Sequence, residues 1–163
     1  MPEEQVVGRA KRDKEQGKSP STQAGEFVRE EMHHIREGKH GAQSPQQAIA
    51  IGLSKARRAG VDLPAPKRGT VSSKTRAQAA RDSRRGKRFP RRKPSQTRSR
   101  AISNALKREG HSAASRSSLS KQARRAARRR GSRSRHQAAM KAGHTKGKPE
   151  GCVRPRAKPP RKG

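Results

Sequence analysis

The sequence predicts a mainly α protein, with a short helical hairpin followed by a largely disordered basic region that contains isolated helices. Three observations carry this reading. Only 26% of the 163 residues are hydrophobic and 1% aromatic, against about 45–50% apolar in ordinary globular domains. No large core is then available to offset roughly 1–2 kcal/mol of backbone entropy per ordered residue. The charge is also unevenly placed: residues 1–63 hold 11 Lys/Arg and 9 Asp/Glu, while residues 64–163 hold 33 and 3. The first third is nearly neutral and the remainder is a long polycation. Finally, two segments of the neutral third show apolar residues at helical spacing behind N-capping residues.

Residues 1–20 are polar and mixed in charge, closing on Lys18, Ser19 and Pro20, and read as a flexible arm. Residues 21–63 read as the hairpin. Ser21 or Thr22 caps a first helix running to about Glu37, since Ala24, Phe27, Val28, Met32 and Ile35 share one arc. Gly38 and Gly41 end it. In the second helix Ser44 stands at the N-cap, Pro45 at the first helical position and Gln47 at the capping-box position. Ala48, Ile49, Gly52, Leu53, Ala56 and Ala59 line its inner face, and Gly60 closes it with Val61 and Leu63 free to fold back.

A hairpin of about 40 residues is small for independent stability. Ile51 points away from the Ile49/Leu53 face at about 100° per residue. A homodimer through Phe27, Met32, Ile49, Ile51 and Leu53 would answer both points and is the expected self-association surface.

In residues 64–163, helices are expected near 74–85, 98–109 and 117–130. The first, rich in Ala and Arg and ended by Gly86, has no large apolar residue to pack and is marginal alone. Pro90 and Pro94 interrupt the chain after it. Thr97 caps the second, with Ala101, Ile102, Ala105 and Leu106 on one side and Gly110 beyond. The third sets Leu119, Ala123, Ala126 and Ala127 against Lys121, Arg124, Arg125, Arg128 and Arg129. Residues 131–163, with Pro149, Pro155, Pro159 and Pro160, read as a disordered basic tail.

The net charge of +32 calls for a polyanionic partner. Duplex DNA is the expected one, bound through phosphates by Arg84, Arg85, Lys87, Arg88, Arg91, Arg92, Lys93, Lys121, Arg124, Arg125, Arg128, Arg129 and Arg130. An RNA- or ribosome-associated basic protein is the alternative, with RNA as partner, and a protein-interaction adaptor using the hairpin is the alternative of a different class. No zinc-finger spacing, zipper repeat or stacking aromatic motif supports reading of base sequence. A helix-turn-helix reading of residues 22–60 meets an acidic strip of Glu26, Glu30 and Glu37, which would repel a DNA backbone. It also meets a second helix whose cations, Lys55, Arg57 and Arg58, lie at the end opposite to the one that reads bases.

Membrane binding is disfavoured, because the longest apolar run, residues 48–53, is short and neither Trp nor Tyr is present. The acidic N-terminus is unlike a secretory signal, and a cytoplasmic, nucleoid location follows as the expectation. No catalytic constellation, cofactor motif or metal-ligand spacing stands out. His33, His34 and His40 lie close in sequence without a paired Cys or carboxylate to complete a site, and Cys152 reads as a passive thiol.

One stretch resembles a known family. The Gly-Lys-His-Gly turn at residues 38–41, followed by Gln-Ala-Ile-Ala-Ile at residues 47–51, is similar to an uncharacterised family of small basic bacterial proteins. The similarity covers about the first third of the chain. It implies a bacterial origin and a helical module, and brings no activity or ligand residues. The basic remainder resembles, in composition alone, the tails of linker-histone-like nucleoid proteins.

Overall fold

The computed structural model describes residues 4–88, 95–129 and 131–146, with side chains as far as residue 143. Among these, seven α-helices run in order: α1 (Glu4–Glu15), α2 (Pro20–Arg36), α3 (Pro45–Arg58), α4 (Ser73–Arg88), α5 (Gln96–Lys107), α6 (Arg116–Arg129) and α7 (Gly131–Lys146). A 3-10 turn at Ser112–Ala114 precedes α6. The chain divides into two compact units, Met1–Gln122 and the part from Ala123 onward. The expectation of a largely disordered basic region is overturned, since helices occupy most of the described residues in both the neutral and the basic parts.

The α2/α3 hairpin is the centre of the first unit. α2 begins one turn earlier than expected: Ser19, not Ser21 or Thr22, is the N-cap, its Oγ accepting from the Thr22 N–H, with Pro20 at the first helical position. α3 begins where the sequence places it. Ser44 Oγ accepts the Gln47 N–H at 3.2 Å, while the Gln47 side chain accepts from the Gln43 N–H at 2.7 Å, one residue ahead of the usual capping-box partner. The two helices cross at Gly52, where an added Cβ would stand 2.7 Å from the Cα of Val28. At the far end of α3 the N–H groups of Gly60 and Val61 bond back to Arg57 and Ala56, and Val61 turns inward.

Two apolar clusters flank this crossing. Val6 and Ala10 of α1 join Ala24, Phe27, Ala56 and Val61 in one. In the other, Met32, Ile35, Ala42 and Ala48 meet Ala113 and Ala114, with Leu119 packed against them. The expected flexible arm is therefore a helix from Glu4 to Glu15. Its apolar residues are Val6, Val7 and Ala10, too few to stand out in a polar sequence, yet Val6 and Ala10 are buried and Val7 packs against the same cluster. The hairpin's shortage of core is met within the chain, by α1 on one side and residues 113–119 on the other.

α4 docks on α3 without a large apolar side chain. Its buried residues are Ala79, Asp82 and Gly86. Asp82 accepts from Ser54 Oγ at 2.7 Å, Arg58 Nε at 2.9 Å and Gln78 Nε2 at 3.1 Å. Gly86, expected to end the helix, lies inside it, and a Cβ there would overlap the carbonyl oxygen of Arg57. It is a notch that lets two backbones meet.

α5 buries no residue, and Ile102 is exposed. It starts at Gln96, ahead of the expected Thr97 cap, and Ser95 makes no side-chain capping bond. The C-terminal end is anchored through backbone, where the Leu106 and Gly110 carbonyls accept from the Gly41 and Ala42 N–H groups at 2.9 and 3.0 Å. α7 replaces the first part of the expected disordered tail, a correction that rests on helix-favouring Ala, Arg, Gln and Lys at residues 131–146. No described helix is long and apolar enough to cross a membrane.

Candidate nucleic-acid interface

The basic helices carry their charge with almost no acid beside it. α6 holds six Lys/Arg and α7 four, and neither contains Asp or Glu. α5 also has none, and the single acid of α4 is Asp82, which is turned inward and engaged by α3 and α4 donors.

Of the expected phosphate-binding residues, Lys121, Arg124, Arg125, Arg128 and Arg129 are all exposed on α6. The opposite side divides: Leu119 packs on the second apolar cluster, Ala126 and Ala127 are half-buried and Ala123 is exposed. Positions 124/128 and 125/129 form two adjacent i, i+4 pairs, each about 6 Å apart along the axis. Arg124, Arg125, Arg128 and Arg129 belong to the second unit and Lys121 to the first.

On α4, Arg84 and Arg88 are exposed and Arg85 half-buried. Lys87 is exposed but paired with Asp62 at 2.8 Å, and this lysine holds the Asp62 carboxyl below the usual carboxylate range by hydrogen bonding and charge. Arg91, Arg92, Lys93 and Arg130 lie outside the described residues, as do Phe89, Pro90, Pro94, Cys152 and the prolines of the expected tail.

The residues expected to associate two copies are differently placed. Phe27 and Met32 are buried in the two clusters of the first unit, Phe27 with no exposed surface. Ile49, Ile51 and Leu53 are half-buried. Ile49 and Leu53 line an apolar groove of about 500 Å³ between α3 and α4, together with Pro66, Val71 and Ala79. Arg57 also lines it. The residue is 7% exposed; its guanidinium donates to the Pro64 carbonyl at 3.3 Å and has its pKa lowered by burial, an effect that the charge of Asp82 opposes.

The acidic strip of the first hairpin helix is mostly internal. Glu26 is bound by Arg9 of α1 at 2.7 Å, Glu30 is buried, and Glu37 alone is exposed, beside Lys39 at 3.1 Å. Repulsion from that strip therefore does not argue against helix-turn-helix docking. The N-terminal end of α3 is nevertheless engaged elsewhere, since Gln46 donates to Gln122 of α6 at 2.6 Å.

Sequence reasoning missed two polar centres. One is Asp82, read only as part of a basic helix. The other is Glu31, which is fully buried and faces Lys55 Nζ at 2.6 Å and His40 Nε2 at 3.2 Å. Glu31 and His34 are three residues apart on α2, a spacing that places both on one helix face. That is the signal which would have paired them.

Residues 17–68 match the model of a family of unknown function, DUF6496, which bears out the resemblance drawn from the turn at 38–41 and the helix that follows. The N-terminal part of the chain carries that family's module, comprising α2, α3 and the segments around them. No curated protein and no solved structure matches the chain.

Proposed function

We propose that the protein binds duplex DNA through its phosphates, without reading base sequence, in the manner of a nucleoid-associated architectural protein. The observation that carries this reading is the charge on α6: Lys121, Arg124, Arg125, Arg128 and Arg129 are exposed on a helix that contains no acidic residue. Guanidinium groups grip phosphate oxygens through a planar fork of donors, and their display on a helix keeps them apart and available without a folded pocket.

The arrangement gives little means of discriminating bases. α6 is almost entirely Ser, Ala, Arg, Lys and Gln, and the aromatic content of 1% leaves no platform on which unpaired bases would stack. The charged side chains of α4 and α7 add to the same sequence-independent attraction.

The test uses the full-length chain, because α4 docks on α3 and a fragment starting after the hairpin would lose that support. Fluorescence anisotropy with several unrelated duplexes of equal length, at about 50 mM salt, is expected to give tight binding with affinities alike within a few-fold. No binding at this salt would overturn the reading. So would a preference for one duplex approaching the roughly 10³-fold of specific recognition.

A further inference from the structure

We propose that Glu31, His34 and His40 form a binding site for one divalent cation of the zinc type, held at the turn between α2 and α3. Each of the three offers a ligand atom, and these atoms lie within 4.8 Å of one another. The distance between Glu31 Oε1 and His40 Nε2 is 3.2 Å. Ligands at about 2.0–2.2 Å from a tetrahedral zinc ion stand about 3.4 Å from each other. An imidazole, a second imidazole and a carboxylate are a donor set that suits zinc, and three protein ligands leave a fourth position for water.

The hydrogen bonding of His40 points the same way. Its Nδ1 lies 3.1 Å from the Gly41 carbonyl, and a carbonyl only accepts, so Nδ1 carries the hydrogen. In neutral imidazole Nε2 then presents a lone pair, aimed at a carboxylate oxygen that is itself only an acceptor. A cation held between these two atoms would satisfy both. Donation of the non-ligating ring nitrogen to a backbone carbonyl is the usual outer support of a metal-binding histidine. Here that carbonyl belongs to a turn pinned on the α5 side by the Gly41 and Ala42 N–H bonds to Leu106 and Gly110.

Glu31 is prepared for the same role. Its carboxylate is buried and accepts no backbone hydrogen bond. Lys55 Nζ approaches Oε2 at 2.6 Å, leaving Oε1 on the histidine side. His34 also lines a cleft of about 180 Å³ with Glu30 and Glu37. His33, its exposed neighbour, also borders this cleft but is not one of the three clustered ligands.

The experiment is titration of metal-stripped full-length protein, carrying Cys152→Ser to remove the one thiol, with Zn²⁺ by calorimetry and with Co²⁺ by visible absorption. The expected result is one saturable equivalent, with the d–d bands of four-coordinate cobalt and a rise in melting temperature on adding Zn²⁺. His34→Asn and His40→Asn should each lower affinity by more than the roughly 10–100-fold that loss of an outer-shell partner costs. They should also abolish the thermal shift, while His33→Asn leaves both unchanged. Circular dichroism of each variant in chelator establishes that the helices persist. Failure of the parent protein to take up either ion would overturn the site, as would binding by His34→Asn and His40→Asn equal to that of the parent.

Discussion

Helices α1–α3 and helices α4–α6 are held by different interactions. In the first group Phe27, Ile35 and Val6 are fully buried, and the helices close on two apolar clusters. In the second, α4 buries only Ala79, Asp82 and Gly86, and α5 and α6 bury nothing. Their attachments to the hairpin are a carboxylate with three donors, a glycine notch, backbone bonds at a turn, and Leu119. A chain too poor in apolar residues for a large core can thus still place its cationic helices, by fixing their ends and leaving their long faces to solvent. The difference also separates folding from binding: substitutions in the first group should act on stability, and substitutions on the exposed faces of the second on affinity.

The largest effect should follow Phe27→Ala. Truncating a fully buried aromatic costs about 3–5 kcal/mol, a large share of the stability of a domain this size. Thermal and urea unfolding should show loss of most of the cooperative transition. Asp82→Ala removes the acceptor shared by Ser54, Arg58 and Gln78 and is expected to cost about 1–3 kcal/mol. The loss should be confined to α4, seen as faster amide exchange there with α2 and α3 still protected. Gly86→Ala forces a methyl group against the Arg57 carbonyl. It should weaken the same docking by about 1–3 kcal/mol, measured in the same exchange experiment.

At the small end, Ile102→Ala on exposed α5 should change stability by no more than about 0.5 kcal/mol. Smaller still is the Asp62–Lys87 pair. The folded-state pKa of Asp62 is lowered by Lys87, so its contribution is present above the unfolded value of about 3.9 and lost as pH falls through the folded value. Because Asp62 is fully exposed, Asp62→Asn should flatten the acid limb of melting temperature against pH only slightly. A shift rivalling that of Asp82→Ala would break the contrast between inward and outward charges.

What the sequence made legible follows the same division. The α2/α3 hairpin could be read because Ser44, Pro45, the apolar arc of each helix and the terminal glycines all act locally. The helices of the basic region were also readable, at 74–85, 98–109 and 117–130, to within a few residues. Their docking was not. Asp82 looks like one acid in a run of bases, and Gly86 like a terminator, until α3 is set beside them. α1 was missed because Val6 and Ala10 gain meaning only against Phe27. α7 was missed because composition alone argued for disorder at residues 131–146, where helix propensity prevailed. At the candidate interface, the exposed Arg face of α6 was legible from periodicity. The inward turn of Phe27 and Met32 was not, because an apolar face does not reveal whether its partner is a second copy or another part of the same chain.

The most direct test of the account is the salt dependence of duplex binding by the full-length protein and by a variant with Arg124, Arg125, Arg128 and Arg129 all changed to Gln. Each lost phosphate contact lowers the steepness of log K against log salt by about 0.9. The quadruple variant should therefore lose up to about 3.6 of that slope, while its circular dichroism and melting temperature match those of the parent. An unchanged slope in a fully folded variant would contradict the assignment of phosphate binding to α6.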